Sequence, residues 1–463
     1  MITSDHSRNL QEDVVKTLTG DLYPEIFSAH LELVPQLNET YELELAFYES
    51  RILNDEEIVQ NGAYFARVAG TYTRHFLMCE GEPVRLPQHS SSRLRSFFQK
   101  NQFRTGYATH GLFPYRGKFH PQMIKGLMNV MGLKPGDVVL DPMMGSGTAL
   151  IEATLMGIKS VGIDMSPFCC FMTQAKLYGL TVPLVPVRAA LENCRSTFEY
   201  FVSLAGKPQQ GSKIRRQTKS EDLFSVMEST VQLGSLSEAR GKLPPGCETP
   251  EGYDFLLLAY LDSAGYAERS NRKSPFEQFR AILERYLFVA EKIQRVLAGV
   301  ESDLAEAKVI EGDARSMPLD DSSIDGIIFS PPYSFAIDYL ENDSFHLDFL
   351  GIDSNALRQK MIGLRGSTLD EKYDGYKADM KKVLSECARV LRPGRICTVV
   401  VGTNNNQLSK ILNLAPEEVP GIDETLCDLG SLYGFQLIRK VSRQISGIAN
   451  TMRNEFIVML ERK

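Results

Sequence analysis

The spacing of hydrophobic residues changes character along the chain. Residues 41–50, "YELELAFYES", and 64–78, "YFARVAGTYTRHFLM", alternate in places and predict strands of a small N-terminal region. From about residue 103 helical and extended patterns take turns. "HPQMIKGLMNVMGL" (120–133) has helical spacing and stops at the turn signal "KPGD". A strand follows, "VVLD" (138–141), then a glycine-containing turn, a helix "TALIEATLMG" (148–157) and a second strand, "SVGID" (160–164). The alternation breaks over 185–300, which holds a polar loop (206–220), the Pro/Gly stretch 241–252 and a long helix starting near Ser274. It resumes with "AKVIEGDA" (307–314) and "IDGIIF" (324–329), then a helix "YKADMKKVLSECARVL" ending at Pro393-Gly394 and the strand "RICTVVVGT" (395–403). Two last strands, "GFQLIRKVSRQI" and "EFIVMLER", have no helix-length spacer between them and predict an antiparallel pair. Strands separated by helices predict an α/β fold with a mostly parallel sheet.

Composition fits an ordinary soluble chain, with 43% hydrophobic and 24% charged residues. No apolar run reaches the length of a membrane span, "FLLLAYL" (255–261) being among the longest. The first residues lack a basic-then-apolar signal pattern, so the expectation is a cytoplasmic protein with no membrane partner. Eight cysteines occur without a CxxC pair, which indicates neither a zinc site nor a disulfide framework.

The net charge of −7 speaks against nucleic acid, but its distribution does not. Between Glu82 and Asp137 there is no acid and there are nine Lys or Arg, among them Arg93, Arg95, Arg104, Lys118 and Lys125. A second acid-free run, 200–220, holds Lys213, Arg215, Arg216 and Lys219. Basic zones on an acidic protein suit a local phosphate-tracking surface.

Candidate chemistry sits where predicted strands end. The first strand runs into Asp141-Pro142-Met143-Met144-Gly145-Ser146-Gly147-Thr148. Two glycines let a backbone approach a ligand closely, but the third glycine of the dinucleotide pattern is absent and Leu150 stands there. A carboxylate at Asp141 would repel a pyrophosphate and suits an ammonium group. Asp164 ends the second strand, where it can accept from ribose hydroxyls, and Asp313 follows the third, where it can hold an adenine amino group. Ammonium, ribose and adenine together describe S-adenosylmethionine (AdoMet). Each acid alone could be a plain loop aspartate capping a helix or turn; three after successive strands argue otherwise. No Lys follows the glycines, which excludes a P-loop.

The fourth strand runs into Ser330-Pro331-Pro332-Tyr333. An aromatic amine is a poor nucleophile because its lone pair is delocalised into the ring. A site that methylates one must hold the amino hydrogens with acceptors and favour pyramidal nitrogen. Ser330 Oγ and the Pro331 carbonyl can be those acceptors, two prolines stiffen the turn, and Tyr333 can stack on a base.

"DPMMGSGT" followed by "SPPY" resembles the DNA amino-methyltransferases, which act on exocyclic nitrogens of bases. The Ser form of the second motif is typical of their N4-cytosine branch, where N6-adenine enzymes more often carry Asp or Asn. "THGLFPYRGKFHPQM" (109–123) looks like their cofactor-contacting segment, and "SPPYSFAIDYLENDSFHLDFLG" resembles the continuation in one bacterial subgroup. The resemblance covers about 103–180 and 305–463. It implies a Rossmann-like AdoMet methyltransferase sheet. It places Asp141, Gly145 and Gly147 at the methionine end of the cofactor, Asp164 at the ribose and Asp313 at the adenine, with Pro142, Met143, Thr148, Met165 and Ala314 also expected to bind the cofactor. It places Lys118, Phe119 and His120 in the segment that closes over AdoMet. Ser330, Pro331, Pro332 and Tyr333 go to the target base. Met143 replaces the usual Phe, and Phe329 stands where a Thr is common. The motif order, with 149 residues from Asp164 to Asp313, matches one permutation class in which the insertion reads the target sequence.

The domains expected are therefore an N-terminal accessory region, partly β (1–102), and an AdoMet-binding half (103–184). A helical insertion follows as candidate target recognition domain (185–300), then a catalytic half (301–463). The expected partner is double-stranded DNA, met by Arg93, Arg95 and Arg104 and by the basic loop. Family analogy adds a restriction or defence setting with its own partner. N6-adenine methylation and tRNA guanine-N2 methylation are the alternatives. A non-catalytic AdoMet-binding or DNA-binding subunit is disfavoured by the intact "SPPY", a dehydrogenase by Asp141 and the missing glycine, and a C5-cytosine enzyme by the absence of any Pro-Cys dipeptide.

Overall fold

A computed structural model describes residues 14–20, 22–35, 37, 39–79, 103–115, 117–204, 243–269, 274–298, 304–332, 339–416, 418–444 and 454–463. The N-terminal part contains β1 (Leu31–Leu33), α1 (Thr40–Ile52), β2 (Phe65–Val68) and β3 (Thr71–Tyr72), the strands forming one antiparallel sheet. The expected strand over 41–50 is a helix instead. Tyr41, Leu43 and Leu45 alternate, but Tyr41, Leu45 and Glu49 also share one helical face, and all three are buried. Glu, Leu and Ala are helix formers, and the Glu42 carboxylate accepts from the Glu39 N–H at 3.2 Å, fixing the first turn. The 64–78 pattern splits: Ala69 and Gly70, both with positive φ, turn β2 into β3, and Arg74–Cys79 is helical.

The main body follows the order read from the pattern. Its elements are α2 (Pro121–Val130), β4 (Val138–Asp141), α3 (Thr148–Leu155), β5 (Lys159–Asp164) and α4 (Pro167–Tyr178). The insertion contributes α5 (Leu184–Glu192), α6 (Cys194–Leu204), α7 (Pro250–Arg269) and α8 (Pro275–Val296). Ser274 caps α8, its Oγ accepting from the Glu277 N–H and the Glu277 carboxylate from the Ser274 N–H. The chain returns with β6 (Ala307–Glu311), β7 (Ile324–Phe329), α9 (Leu369–Val390), β8 (Leu391–Gly402), α10 (Ile422–Ser431), β9 (Phe435–Gln444) and β10 (Asn454–Arg462).

Seven strands form one sheet in the order β6-β5-β4-β7-β8-β10-β9. Neighbours from β6 to β8 are parallel, and β10 runs antiparallel to both β8 and β9. This is the expected Rossmann-like methyltransferase sheet, with the predicted pair of last strands. From β4 the chain winds outward through β5 to β6, then crosses to β7 on the other side. In such sheets ligands bind outside the carboxyl ends of the strands at that switch point. Here the glycine turn after β4 and the Ser-Pro-Pro turn after β7 lie on adjacent strands.

The insertion helices share a core with the main body. Phe255, Leu258, Phe279 and Ile282 are fully buried together with Leu112, Phe113, Ile151 and Phe168. Arg285 on α8 donates to the Asp262 carboxylate on α7 at 2.5 Å and to the Leu112 carbonyl at 3.1 Å. The described helices of the insertion thus abut the segment that leads into the cofactor turn. Among the described residues, no helix is long and apolar enough to cross a membrane.

Candidate active site

The turn after β4 is built by hydrogen bonds between strand ends. Asp141 Oδ1 accepts from the Met143 N–H at 3.1 Å, and the Met144 N–H reaches the Ile163 carbonyl of β5 at 3.1 Å. Asp164 spans the same gap, accepting from the N–H groups of Gly145 at 2.9 Å and Ser166 at 2.8 Å. Two backbone donors occupy part of its carboxylate. Gly147 sits at φ +75, and a Cβ there would stand 2.5 Å from Thr173 Cγ2. Only glycine fits, and α3 starts directly after it.

Around this turn lies a cavity of about 130 Å³. Lys118, Phe119, Pro142, Met143, Gly145, Thr148, Asp164, Met165, Asp313, Ala314, Ser330, Pro331 and Pro332 all line it. Residues of both motifs therefore meet in one space, across β6, β5, β4 and β7. Ser330 Oγ lies 3.5 Å from the Pro331 carbonyl oxygen, so the two candidate acceptors are side by side.

Other expected residues stand elsewhere. Asp141 is 1% exposed and does not line the cavity; its Oδ2 has no hydrogen-bond partner. Burial pushes its carboxyl up to about 8, opposed by the Met143 N–H and reinforced by the Asp164 charge. Its visible task is to shape the turn from behind. Gly147 also lies behind the wall, and His120 takes the N-cap position of α2. Tyr333, Arg93, Arg95, Lys213, Arg215, Arg216 and Lys219 lie outside the described residues, and of Arg104 only the backbone, in a short helix, is described.

Two lysines of the acid-free stretch correct the expectation that it contacts phosphates throughout. Lys125 is fully buried on α2, 3.6 Å from the Glu152 carboxylate of α3. Glu152 also accepts from Tyr107 Oη and His110 Nε2, each at 2.6 Å. Lys118 donates to the carbonyls of Thr105 at 2.8 Å and His110 at 3.1 Å, and burial lowers its ammonium to about 8. Both charges are turned inward by the packing of α2 and the 105–118 segment.

Sequence reasoning missed part of the wall. Tyr115 and Tyr339 stack with centroids 6.5 Å apart, and Gly117 lies against the Tyr339 ring. Tyr115 stands within the quoted 109–123 segment and was within reach. Asp343, within the quoted stretch that starts at Ser330, also lines the cavity, as does Lys360–Ile362, which no local motif marks.

The lining suits AdoMet. Its carboxylates are Asp164, Asp313 and Asp343, matched to hydroxyl, amino and cationic groups. The ammonium of Lys118 is already bound to carbonyls, which leaves little for a pyrophosphate. Fold and site together define an AdoMet-dependent methyltransferase.

Comparison with known proteins agrees. The family profile of the RMKL-like methyltransferase domain matches residues 112–222. The type II methyltransferase M.MjaII of Methanocaldococcus jannaschii is 47% identical over 68 residues, 15% of this chain and 13% of that protein. M.BsoBI of Geobacillus stearothermophilus, also a type II methyltransferase, is 21% identical over 305 residues, 58% of each chain. A probable tRNA (guanine(10)-N2)-dimethyltransferase of Methanothermococcus thermolithotrophicus is 39% identical over 114 residues, 23% of this chain and 70% of that one. The chain carries an AdoMet-dependent methyltransferase domain similar to segments of type II methyltransferases and of tRNA (guanine(10)-N2)-dimethyltransferases. It spans less than two thirds of the length of the two type II methyltransferases.

Proposed function

We propose that this protein transfers a methyl group from AdoMet to the exocyclic N4 amino group of cytosine in DNA. The observation that carries the reading is Ser330-Pro331-Pro332 at the end of β7, lining one cavity with the glycine turn of β4. When bound, AdoMet supplies the methyl group on its sulfonium. Asp164 takes the ribose, Asp313 and Ala314 the adenine, and the Met143–Thr148 turn the methionine end. Ser330 Oγ and the Pro331 carbonyl accept the two amino hydrogens and hold the nitrogen pyramidal. The prolines keep these acceptors from swinging away, since φ is fixed. A base inside a duplex cannot reach them, so the target is flipped out, with Tyr333 stacking on its face. The nitrogen sheds a proton after transfer, to Ser330 or to water.

The serine favours cytosine over adenine. DNA is favoured over tRNA by extent. The match to M.BsoBI runs over 305 residues, while the tRNA-enzyme match covers 23% of the chain. Insertion residues 185–300, with their basic loop, would read the sequence, in a modification role within a restriction or defence system.

The test is incubation with tritiated AdoMet and either plasmid DNA or total tRNA, followed by mass spectrometry of the nucleosides. N4-methylcytosine in DNA is the expected product. N6-methyladenine would move the protein to the adenine branch, and N2-methylguanosine in tRNA would overturn the DNA reading.

A further inference from the structure

Asp313, after β6, does not stand alone. Arg315 Nε donates to its Oδ1 at 2.8 Å and Nη2 to its Oδ2 at 2.8 Å, a fork gripping both oxygens. The Arg315 backbone N–H adds a bond to Oδ1 at 2.9 Å. The other edge of the guanidinium is also engaged. Nη1 donates to Asp379 Oδ1 at 3.0 Å, and Nη2 to the Lys360 carbonyl at 2.7 Å. Asp379 projects from α9, is 3% exposed, and its second oxygen takes Arg365. One guanidinium therefore fixes the acid after β6, a buried acid of α9 and the carbonyl of Lys360. Lys360, Met361 and Ile362 line the cavity, as do Gly312, Asp313 and Ala314.

We propose that Arg315 is the positioning residue for cofactor-base recognition, aiming Asp313 at the adenine amino group and pinning Lys360–Ile362 as a wall of the adenine subsite. This rests on Asp313 being the adenine acceptor. A carboxylate left to rotate would bind water as readily as an amino group. Held by the fork, the carboxylate keeps one orientation while lining the cavity. Arg315 also keeps Asp313 acceptor-only: burial pushes that carboxyl up, but the bonds from Arg315 outweigh it and hold it below its ordinary range. Lysine cannot reproduce the fork, since it offers a point charge without a planar edge.

The experiment is calorimetric binding of S-adenosylhomocysteine and S-inosylhomocysteine, the second carrying an exocyclic carbonyl oxygen in place of the amino group. Wild type, Asp313→Ala, Arg315→Leu and Arg315→Lys are compared, with thermal unfolding to show each is folded. Wild type prefers the adenosyl ligand about tenfold or more, because a carboxylate meets a donor in one and an acceptor in the other. Arg315→Leu narrows the ratio toward one by weakening the adenosyl ligand, and Arg315→Lys falls between. An unchanged ratio in Arg315→Leu, with collapse in Asp313→Ala, overturns the role of Arg315. An unchanged ratio in Asp313→Ala removes adenine from Asp313 and overturns the proposal with it. Should Arg315→Leu not fold, Arg315→Lys decides: a wild-type ratio there overturns the proposal. No nucleic acid is present, so the result is independent of which base the enzyme methylates.

Discussion

At the scale of single residues, position in the cavity wall separates neighbours with similar chemistry. Ser330 is half-buried and faces the space shared with the glycine turn, while Asp141 is sealed behind that turn. Ser330→Ala removes one acceptor for the amino hydrogens and nothing that holds the turn after β4. We expect methyl transfer to fall by at least about a hundredfold, the scale for loss of one oriented transition-state contact, with AdoMet affinity within about twofold of wild type. Single-turnover rates and calorimetry check this together. Lost cofactor binding in that variant would place Ser330 at the cofactor and not at the base. Both glycine-turn acids and the serine were legible in sequence because each directly follows an apolar strand. What could not be read was which carboxylate reaches the cavity, since strand ends carry no record of side-chain depth.

At the scale of elements, α1 shows how one pattern serves two structures. Alternating Tyr41, Leu43 and Leu45 suit a strand, and burial of Glu49 on the same face decides for a helix. The Glu49 carboxylate accepts from the N–H groups of Ala63 at 3.0 Å and Tyr64 at 3.2 Å and from Asn129 Nδ2 at 2.7 Å. These bonds join α1 to the start of β2 and to α2, whose end precedes β4. Three donors need two acceptor oxygens. Above pH 7, where the Glu49 carboxyl is ionised, Glu49→Gln keeps one and turns an amide donor against N–H groups, so there it should cost about 2–4 kcal/mol of stability. Urea unfolding measures this; a change under about 0.5 kcal/mol would mean the contacts contribute as little as an ordinary surface site. No sequence motif announces the bond, because its partners lie 14 and 80 residues away.

At the scale of the whole molecule, several buried acids set the response to pH. Burial pushes the carboxyls of Asp141 and Asp254 up to about 8, and that of Glu49 to about 7. An unfolded carboxyl titrates near 4, so the native state keeps protons that the unfolded chain has released. Rising pH then favours unfolding until each folded pKa is passed. His110 acts in the opposite sense, since burial lowers it to about 4, but only up to the unfolded histidine value near 6.5. Lys118, lowered to about 8, contributes oppositely only above that value. Stability should therefore fall between pH 6.5 and 8, by on the order of 1 kcal/mol per pH unit for each of Asp141 and Asp254. Denaturant midpoints across that window test this, and Asp141→Asn should flatten the slope. A slope equal to wild type in that variant would show that Asp141 is ionised throughout.

Local pattern alone made legible the order of strands and helices from α2 onward, the antiparallel end of the sheet, the glycine turn and the Ser-Pro-Pro turn. These are local: apolar period, glycine and proline act over a few residues, and the sheet's winding follows from strands alternating with helices. Tertiary structure decided the rest. It turned Lys118 and Lys125 inward from a stretch that counts as basic, because packing of α2 places Lys125 against Glu152. It merged the insertion helices into the core beside Phe113 and Phe168. It brought Arg315, Lys360 and Asp379 together beside Asp313 from positions 45 and 64 residues apart in sequence. Charge and burial at such places depend on what the chain folds against, and a linear pattern holds no distance between residues that only folding makes neighbours.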